Sequence, residues 1–458
     1  MKILLTTHQF LPDSYAGTEI LTFETARELQ RLGHEVAVFT GFHGSEELND
    51  SERFDSYRYE GIPVERFHHA FVPMGGQTNI MEAEYNNLFF AAYFRKFLQK
   101  LQPDIVHFFH LRRLSASAID VCHNLGIPTV FTPTDFWLVC PTYQLRMPDN
   151  MLCTGPCCGG VNCLRHLVEI TQPSAVHSMM GILPDWLVKA MIRLFRAASI
   201  SGNNIFSYVR ALEQRPEFMK QRMNRLGRVI VPTRLMGKTL TEHGLLPEKI
   251  AFSPFGINLK PFQYRVRKEA SDRLRIGFIG TLSEQKGVHI LLQAMRFLHK
   301  DEPVDLKVYG KNEDSPNYVA ELLGIAKDNP RIAFCGIFPN FRIGDIFSDL
   351  DVLVVPSVWY ENTPLVIYSA FAAGCPVIAS NLGGMSEVVR HDENGLLFER
   401  GDVAGLAKAL NRLSHDRDLL RELTNKVRQP KSIEGYVAEI VDIYADVIEE
   451  IRNVSFIR

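Results

Sequence analysis

Glu361 stands in a polar turn, Glu361-Asn362-Thr363-Pro364, shortly after an apolar run at Val352–Pro356. A lone carboxylate there suits phosphate poorly. It suits the hydroxyls of a sugar, for which it is an acceptor. Lys286 closes a second loop, which starts at Gly280 and carries Thr281 and Ser283 before Lys286-Gly287. A cation and free backbone N–H groups at a helix start suit a diphosphate. The pattern GxxxxGK[ST] is absent, so the loop is not a P-loop. Each residue also has an ordinary reading. Lys286 alone is a solvated first-turn lysine, and Glu361 alone is an exposed loop acid. Pro364 suits a first helical position, with Asn362 or Thr363 as the cap.

Three further residues could do chemistry in the first half. His107 and His110 end an apolar run at Asp104–Phe109, and Asp135 ends the next one. The histidines are candidates for bonding a sugar or its acceptor, or are satisfied structural residues. Asp135 is the stronger candidate on the acceptor side. Five cysteines, Cys140, Cys153, Cys157, Cys158 and Cys163, fall in one short segment. Four of them could hold a structural zinc in a tetrahedron. Free thiols, an iron–sulfur cluster or, in an oxidising compartment, disulfides are the other readings. Cys122, Cys335 and Cys375 stand alone in apolar runs and read as small core residues.

Elements must hold these residues in place. Short β-type runs are expected at Lys2–Phe10, Glu35–Thr40, Val64–His68, Asp104–Phe109, Thr129–Pro133 and Val229–Thr233. Helical patterns separate them at Thr18–Leu32, Ala83–Leu101 and Leu114–Leu125. The second half repeats the alternation. Its strands are expected at Leu274–Gly280, Asp305–Gly310, Ile332–Gly336, Val352–Pro356 and Pro376–Ala379. Its helices are expected at Gly287–His299, Asn317–Asp328, Pro364–Ala373, Met385–Arg390 and Val403–Leu413. Near-continuous apolar strands between helices make an α/β chain with parallel sheets covered on both faces. Ile433–Ile451 reads as a long last helix.

With 458 residues, 46% hydrophobic and 22% charged, the chain is expected to fold as two or three ordinary globular domains. A net charge of −2 gives no reason to expect nucleic acid. No apolar run is long enough for a membrane span, and Met1–Phe10 reads as a buried strand rather than a leader. The expected location is cytoplasmic. Lys189, Arg193, Arg196, Arg210, Arg215, Lys220, Arg222, Arg225 and Arg228 make a basic middle around Leu187, Met191, Leu194 and Phe195. It reads first as packed helix with solvated cations, and second as a peripheral contact with anionic membrane.

Taken together these motifs resemble the family-4 glycosyltransferases of the GT-B fold. Gly17-Thr18-Glu19, Leu32–Thr40, Pro103–His107 and Val229–Thr233 match the first domain of that family. Phe255–Asn258, Gly280–Gly287 and Asp351–Phe398 match the second. The resemblance implies two Rossmann-like domains facing across a cleft, at 1–258 and 259–430, with a helix at 431–458 packing back on the first. The cysteine insert at 140–163 and a helical segment to about 228 fall in the first domain. A subgroup of the family shares the cysteine insert.

The implied activity is hexosyltransferase-like. A sugar passes from a nucleotide diphosphosugar to a saccharide or lipid-linked hydroxyl, with retention and without a metal, in polysaccharide or glycan biosynthesis. Lys286 is implied to contact the diphosphate, Glu361 the sugar hydroxyls, and the amides of Asn362, Thr363, Pro364 and Leu365 the sugar and phosphate. Gly17 and Thr18 are implied to close over the phosphate. Three positions depart from the family. Thr281 replaces an arginine, Ser369 a second glutamate, and Thr134 the histidine before Asp135. They leave open a nucleotide-sugar binder without transfer activity, or a zinc-stabilised scaffold in a biosynthetic complex.

Overall fold

The computed structural model describes residues 1–147, 151–157, 160–171, 183–190, 205–263, 271–311 and 315–456. The chain divides into two compact units. One is Met1–Pro254 with Glu434–Arg458, and the other is Phe255–Ile433.

In the first unit, one sheet is built from β1 (Lys2–Thr7), β2 (Glu35–His43), β3 (Phe54–Tyr59), β4 (Ile62–His69), β5 (Ile105–Phe108), β6 (Thr129–Phe131), β7 (Arg228–Val231) and β8 (Ile250–Phe252). The order is β3-β4-β2-β1-β5-β6-β7-β8. Every pair is parallel except β3 on β4. The burial of β1 from Ile3 to Thr7, and of all of β5, explains their unbroken apolar runs. The strand order reverses between β1 and β5. Such a switch point leaves a crevice at the carboxyl ends of the two strands.

The second unit holds β9 (Leu274–Ile279), β10 (Val304–Tyr309), β11 (Ile332–Gly336), β12 (Val352–Val355), β13 (Val377–Ser380) and β14 (Gly395–Phe398), all parallel. The order is β11-β10-β9-β12-β13-β14, which is doubly wound, with its switch point between β9 and β12. The core includes Ile276, Phe278, Leu291, Val354, Ile378 and Leu410.

Three strands, β3, β8 and β14, form where none was expected. β3 is an edge strand with no residue of its span fully buried, so it lacks the apolar signature. Its hairpin with β4 turns through Glu60 and Gly61, both at positive φ (44 and 82). Two such residues make the tight turn that matches strand twist. The helix expected at Ala83–Leu101 is two helices, Ile80–Ala83 and Leu88–Leu101. Asn87 caps the second through a 2.9 Å bond from the Phe90 N–H, and its own N–H goes to the Ser115 hydroxyl.

The last helix runs Ile433–Phe456, and from Glu434 it belongs to the first unit. Tyr436, Val437, Ile440, Tyr444 and Val447 are all buried along one face. The Tyr444 hydroxyl lies 2.6 Å from His107 Nδ1, and the Thr132 hydroxyl 2.8 Å from Nε2. His107 is 0% exposed, and burial pushes its imidazole down to about 3. Both ring nitrogens are therefore committed to protein partners. This corrects the expectation that His107 faces a ligand. Tyr444→Phe leaves one buried nitrogen without a partner. It is expected to destabilise by about 1–3 kcal/mol in urea unfolding; a loss below 0.5 kcal/mol would count against the bond.

The basic middle is largely engaged with the first unit. Arg222 and Arg225 pair with Asp120, and Arg228 with Glu450. Arg215 is buried and donates to the carbonyls of Val139 and Trp137. Met191, Arg193, Leu194, Phe195 and Arg196 lie outside the described residues. Among the described residues, no helix is long and apolar enough to cross a membrane.

Candidate functional site

In the second unit three loops meet at the switch point. The loop after β9 ends in a short 3-10 turn, Glu284–Lys286, before the helix Val288–Phe297. The loop after β12 runs from Pro356 to Pro364, before the helix Leu365–Ala372. The Val358 N–H bonds the Gln285 carbonyl at 2.9 Å and joins the two. The turn after β13 approaches through Gly384, whose N–H bonds the Glu361 carbonyl at 2.9 Å. A Cβ on Gly384 would stand 2.4 Å from the Asn362 carbonyl oxygen, so only glycine lets the turn come so close.

This packing brings Lys286 and Glu361 together. Lys286 Nζ lies 2.7 Å from Glu361 Oε1. The Ser357 hydroxyl and the Trp359 indole N–H also donate to Oε1, each at 2.8 Å. Lys286 Nζ stands 5.5 Å from the Trp359 ring centroid, within cation–π reach. Glu361 is 5% exposed, so its charge is held by three donors out of bulk water. No hydrogen bond falls on Oε2 among the described residues. Ser357, Trp359 and Glu361 alternate, which in extended chain puts them on one side. That spacing is the signal by which Ser357 and Trp359 could have been found from sequence.

The neighbouring expectations fare unevenly. Neither Asn362 nor Thr363 caps the following helix. Pro364 is the capping position, without a side-chain bond, and Leu365 the first helical residue. The Thr363 hydroxyl instead lies 3.4 Å from the Gly384 carbonyl. Ser369 is buried and its hydroxyl donates back to the Leu365 carbonyl at 3.1 Å. Gly280 bonds the Tyr309 carbonyl from its N–H, and Thr281 is exposed.

In the first unit the switch point gathers His8, Glu19, His110 and Asp135. His110 Nδ1 accepts the Arg112 N–H at 3.0 Å, so Nε2 carries the proton, which it donates to Asp135 Oδ2 at 2.8 Å. The Trp137 N–H donates to the other carboxylate oxygen. Asp135 is thus an oriented, partly exposed carboxylate. Thr18, in the helix Gly17–Arg31, donates to the Thr134 hydroxyl at 2.9 Å. Sequence reasoning missed His8, whose ring packs tilted against His110 with centroids 4.3 Å apart.

Glu19 is 0% exposed. Its Oε1 lies 3.7 Å from His8 Nε2, and its Oε2 has no partner. Burial raises its carboxyl to about 7. A raised acid favours the protonated fold. The cost of Glu19 is absent below about pH 4.5 and grows until about pH 7. Glu19→Gln is expected to stabilise by about 1–3 kcal/mol at pH 8 and by much less at pH 5. Equal differences in urea unfolding at the two pH values would rule out a buried titrating carboxyl.

The cysteine segment contains free thiols. Cys153 Sγ accepts N–H bonds from Gly155 and the Asn162 side chain, each at 3.4 Å. Burial pushes the Cys163 thiol up to about 12. Cys158 lies outside the described residues. Among the described residues, no three His, Cys, Asp or Glu side chains are grouped to hold a metal ion. The described thiols do not by themselves fit the expected zinc.

Residues 15–150 match the family model described as Glycosyltransferase Family 4, and residues 273–416 match Glycosyl transferases group 1. The first stretch carries Glu19, His110 and Asp135, and the second carries Lys286 and Glu361. The chain belongs to the family-4 glycosyltransferases. The amylovoran biosynthesis glycosyltransferase AmsK of Erwinia amylovora is 26% identical to this family-4 chain over 231 residues, 49% of the chain and 54% of its own length. The chain spans about half the length of the curated relatives it matches. Sucrose-phosphate synthase from Thermosynechococcus elongatus superposes with a TM-score of 0.65 at 18% identity, over 98% of this chain and 99% of that one. HepE of Anabaena, in complex with UDP and glucose, gives 0.63 at 17%, over 97% and 99%. At these identities the likeness carries the fold, which is GT-B, with two Rossmann-like domains.

Proposed function

We propose that the chain transfers a sugar from a nucleotide diphosphosugar to a hydroxyl of a saccharide or lipid-linked acceptor, with retention, in polysaccharide or glycan biosynthesis. The observation that carries this reading is the Lys286–Glu361 pair at the β9–β12 switch point. It sets a cation for a diphosphate beside an oriented carboxylate for a sugar. HepE in complex with UDP and glucose supports the donor class by likeness of fold.

In the reaction the acceptor oxygen bonds to the anomeric carbon, the bond from that carbon to the diphosphate breaks, and the hydroxyl proton leaves with the diphosphate. Lys286 meets the growing charge on the leaving group. Oε2 of Glu361 accepts from a donor-sugar hydroxyl while Oε1 stays with Ser357 and Trp359. The amides at Asn362, Thr363 and Leu365 lie where the helix dipole favours phosphate. Asp135 orients the acceptor hydroxyl. Ser369, shorter and neutral, replaces a carboxylate toward the ribose.

The test is a panel of nucleotide diphosphosugars in thermal shift, followed by transfer to a synthetic lipid-linked acceptor and NMR of the product anomer. Stabilisation by one donor and an unchanged anomer are expected. Donor binding with neither hydrolysis nor transfer on any acceptor would make the chain a binder instead.

A further inference from the structure

The first unit holds two cations that the reading above does not use. Arg112 and Arg113 follow β5 at the switch point, and both are half-buried. Among the described residues neither forms an ion pair. Arg113 reaches only the His8 carbonyl, at 3.5 Å, and the Arg112 guanidinium lies over the Tyr143 ring, 4.4 Å from its centroid. Two adjacent guanidiniums out of bulk water repel each other. Burial, then Arg112, depresses the Arg113 pKa. Arg113 also adopts φ 66, a left-handed conformation that a non-glycine residue rarely takes.

Two buried imidazoles face the same charges. His69 ends β4, and its side chain is 4% exposed. Its Nε2 lies 3.7 Å from Glu84 Oε2, and its Nδ1 has no partner. His8 Nδ1 also has none. Burial pushes His69 down to about 3, with Arg113 and Arg112 next among the causes. A neutral imidazole can still donate one N–H to an oxyanion. The nearby carboxyls, Glu84 and Glu19, are both shifted by burial toward their neutral forms. They neutralise the arginines poorly. Arg53 is spent on the carbonyls of His68 and Leu48.

We propose that Arg112 and Arg113, backed by the free ring nitrogens of His8 and His69, form a site for an oxyanion carried by the acceptor. The word acceptor rests on the transfer reading; the anion site itself does not. Guanidinium forks suit phosphate and carboxylate alike. The acceptor is therefore a phosphorylated saccharide or lipid, or an acidic sugar.

The test uses the full chain and titration calorimetry with inorganic phosphate, methyl phosphate and glucuronate. Lys286→Ala is the control, because Lys286 is the other cation proposed to meet phosphate. At least one of these anions is expected to bind the parent chain and Lys286→Ala equally. Arg112→Gln and Arg113→Gln are expected to weaken it at least 10-fold, with circular dichroism and Tm near the parent's as the check on folding. Preference for methyl phosphate or glucuronate names the acceptor's group. The proposal is overturned if no anion binds at millimolar concentration, if both glutamine variants bind like the parent, or if Lys286→Ala alone abolishes binding. These readouts need no donor, so they stand apart from any failure of transfer.

Discussion

Glu361→Ala is expected to lower transfer by about 10²–10³-fold and to remove the part of thermal stabilisation that depends on the donor's sugar. Stabilisation by the bare nucleoside diphosphate should persist, because Lys286 remains. The substitution deletes the acceptor for three donors at once: Lys286 Nζ, Ser357 Oγ and Trp359 Nε1. Of these only Ser357 is buried, and leaving its hydroxyl unpaired costs about 1–3 kcal/mol, so some loss of Tm in the ligand-free chain is also expected. Glu361→Gln separates the two effects. It keeps an oxygen for the indole and the serine but loses the charge facing Lys286. If Glu361→Ala transfers sugar within threefold of the parent, the donor-site reading fails.

Gly287→Val is expected to destabilise the second unit by about 3 kcal/mol or more. Gly287 has φ 71, where a side chain is strained, and a Cβ there would stand 2.0 Å from the Pro356 carbonyl oxygen. Left-handed backbone costs about 1–2 kcal/mol for a residue with a Cβ, and forcing extra atoms into close packing adds about 1–3. The two loops it separates carry Lys286 and Glu361, so the pair should also part. Denaturant unfolding measures the first effect and donor thermal shift the second. Unchanged stability would mean that the loops can spread without cost. Gly324, with nothing near its Cβ position, is the site for a control alanine.

Most strands were legible because a buried parallel strand is a short, unbroken apolar run. β12 reads Val352-Leu353-Val354-Val355 and is buried throughout. β3 was not legible, because an edge strand with exposed side chains has no such run. The candidate site was legible in its charged members, Lys286 and Glu361, which stand in polar loops that follow apolar runs. Ser357 and Trp359 were missed: their alternate spacing with Glu361 is the one local signal, and it speaks only if the loop is extended there. His107 misled for the opposite reason. It ends a strand as a ligand residue would, and only the last helix, bringing Tyr444 to it from far along the chain, shows that both its nitrogens are committed.

The residues alone determined the α/β class, the repeat of strand and helix in two halves, and the family resemblance. These depend on periodicity and motif spacing, which are local. The tertiary structure alone decided which side chains meet. Lys286 and Glu361 are 75 residues apart. They touch because β9 and β12 pair in parallel, Ile276 to Val352 and Gly277 to Leu353, and so end on the same side of the sheet. Arg112 and Arg113 just after β5, His8 just after β1 and His69 at the end of β4 share an end of the first sheet for the same reason. Register is a long-range property of hydrogen-bonded strands, and no window of the sequence contains it.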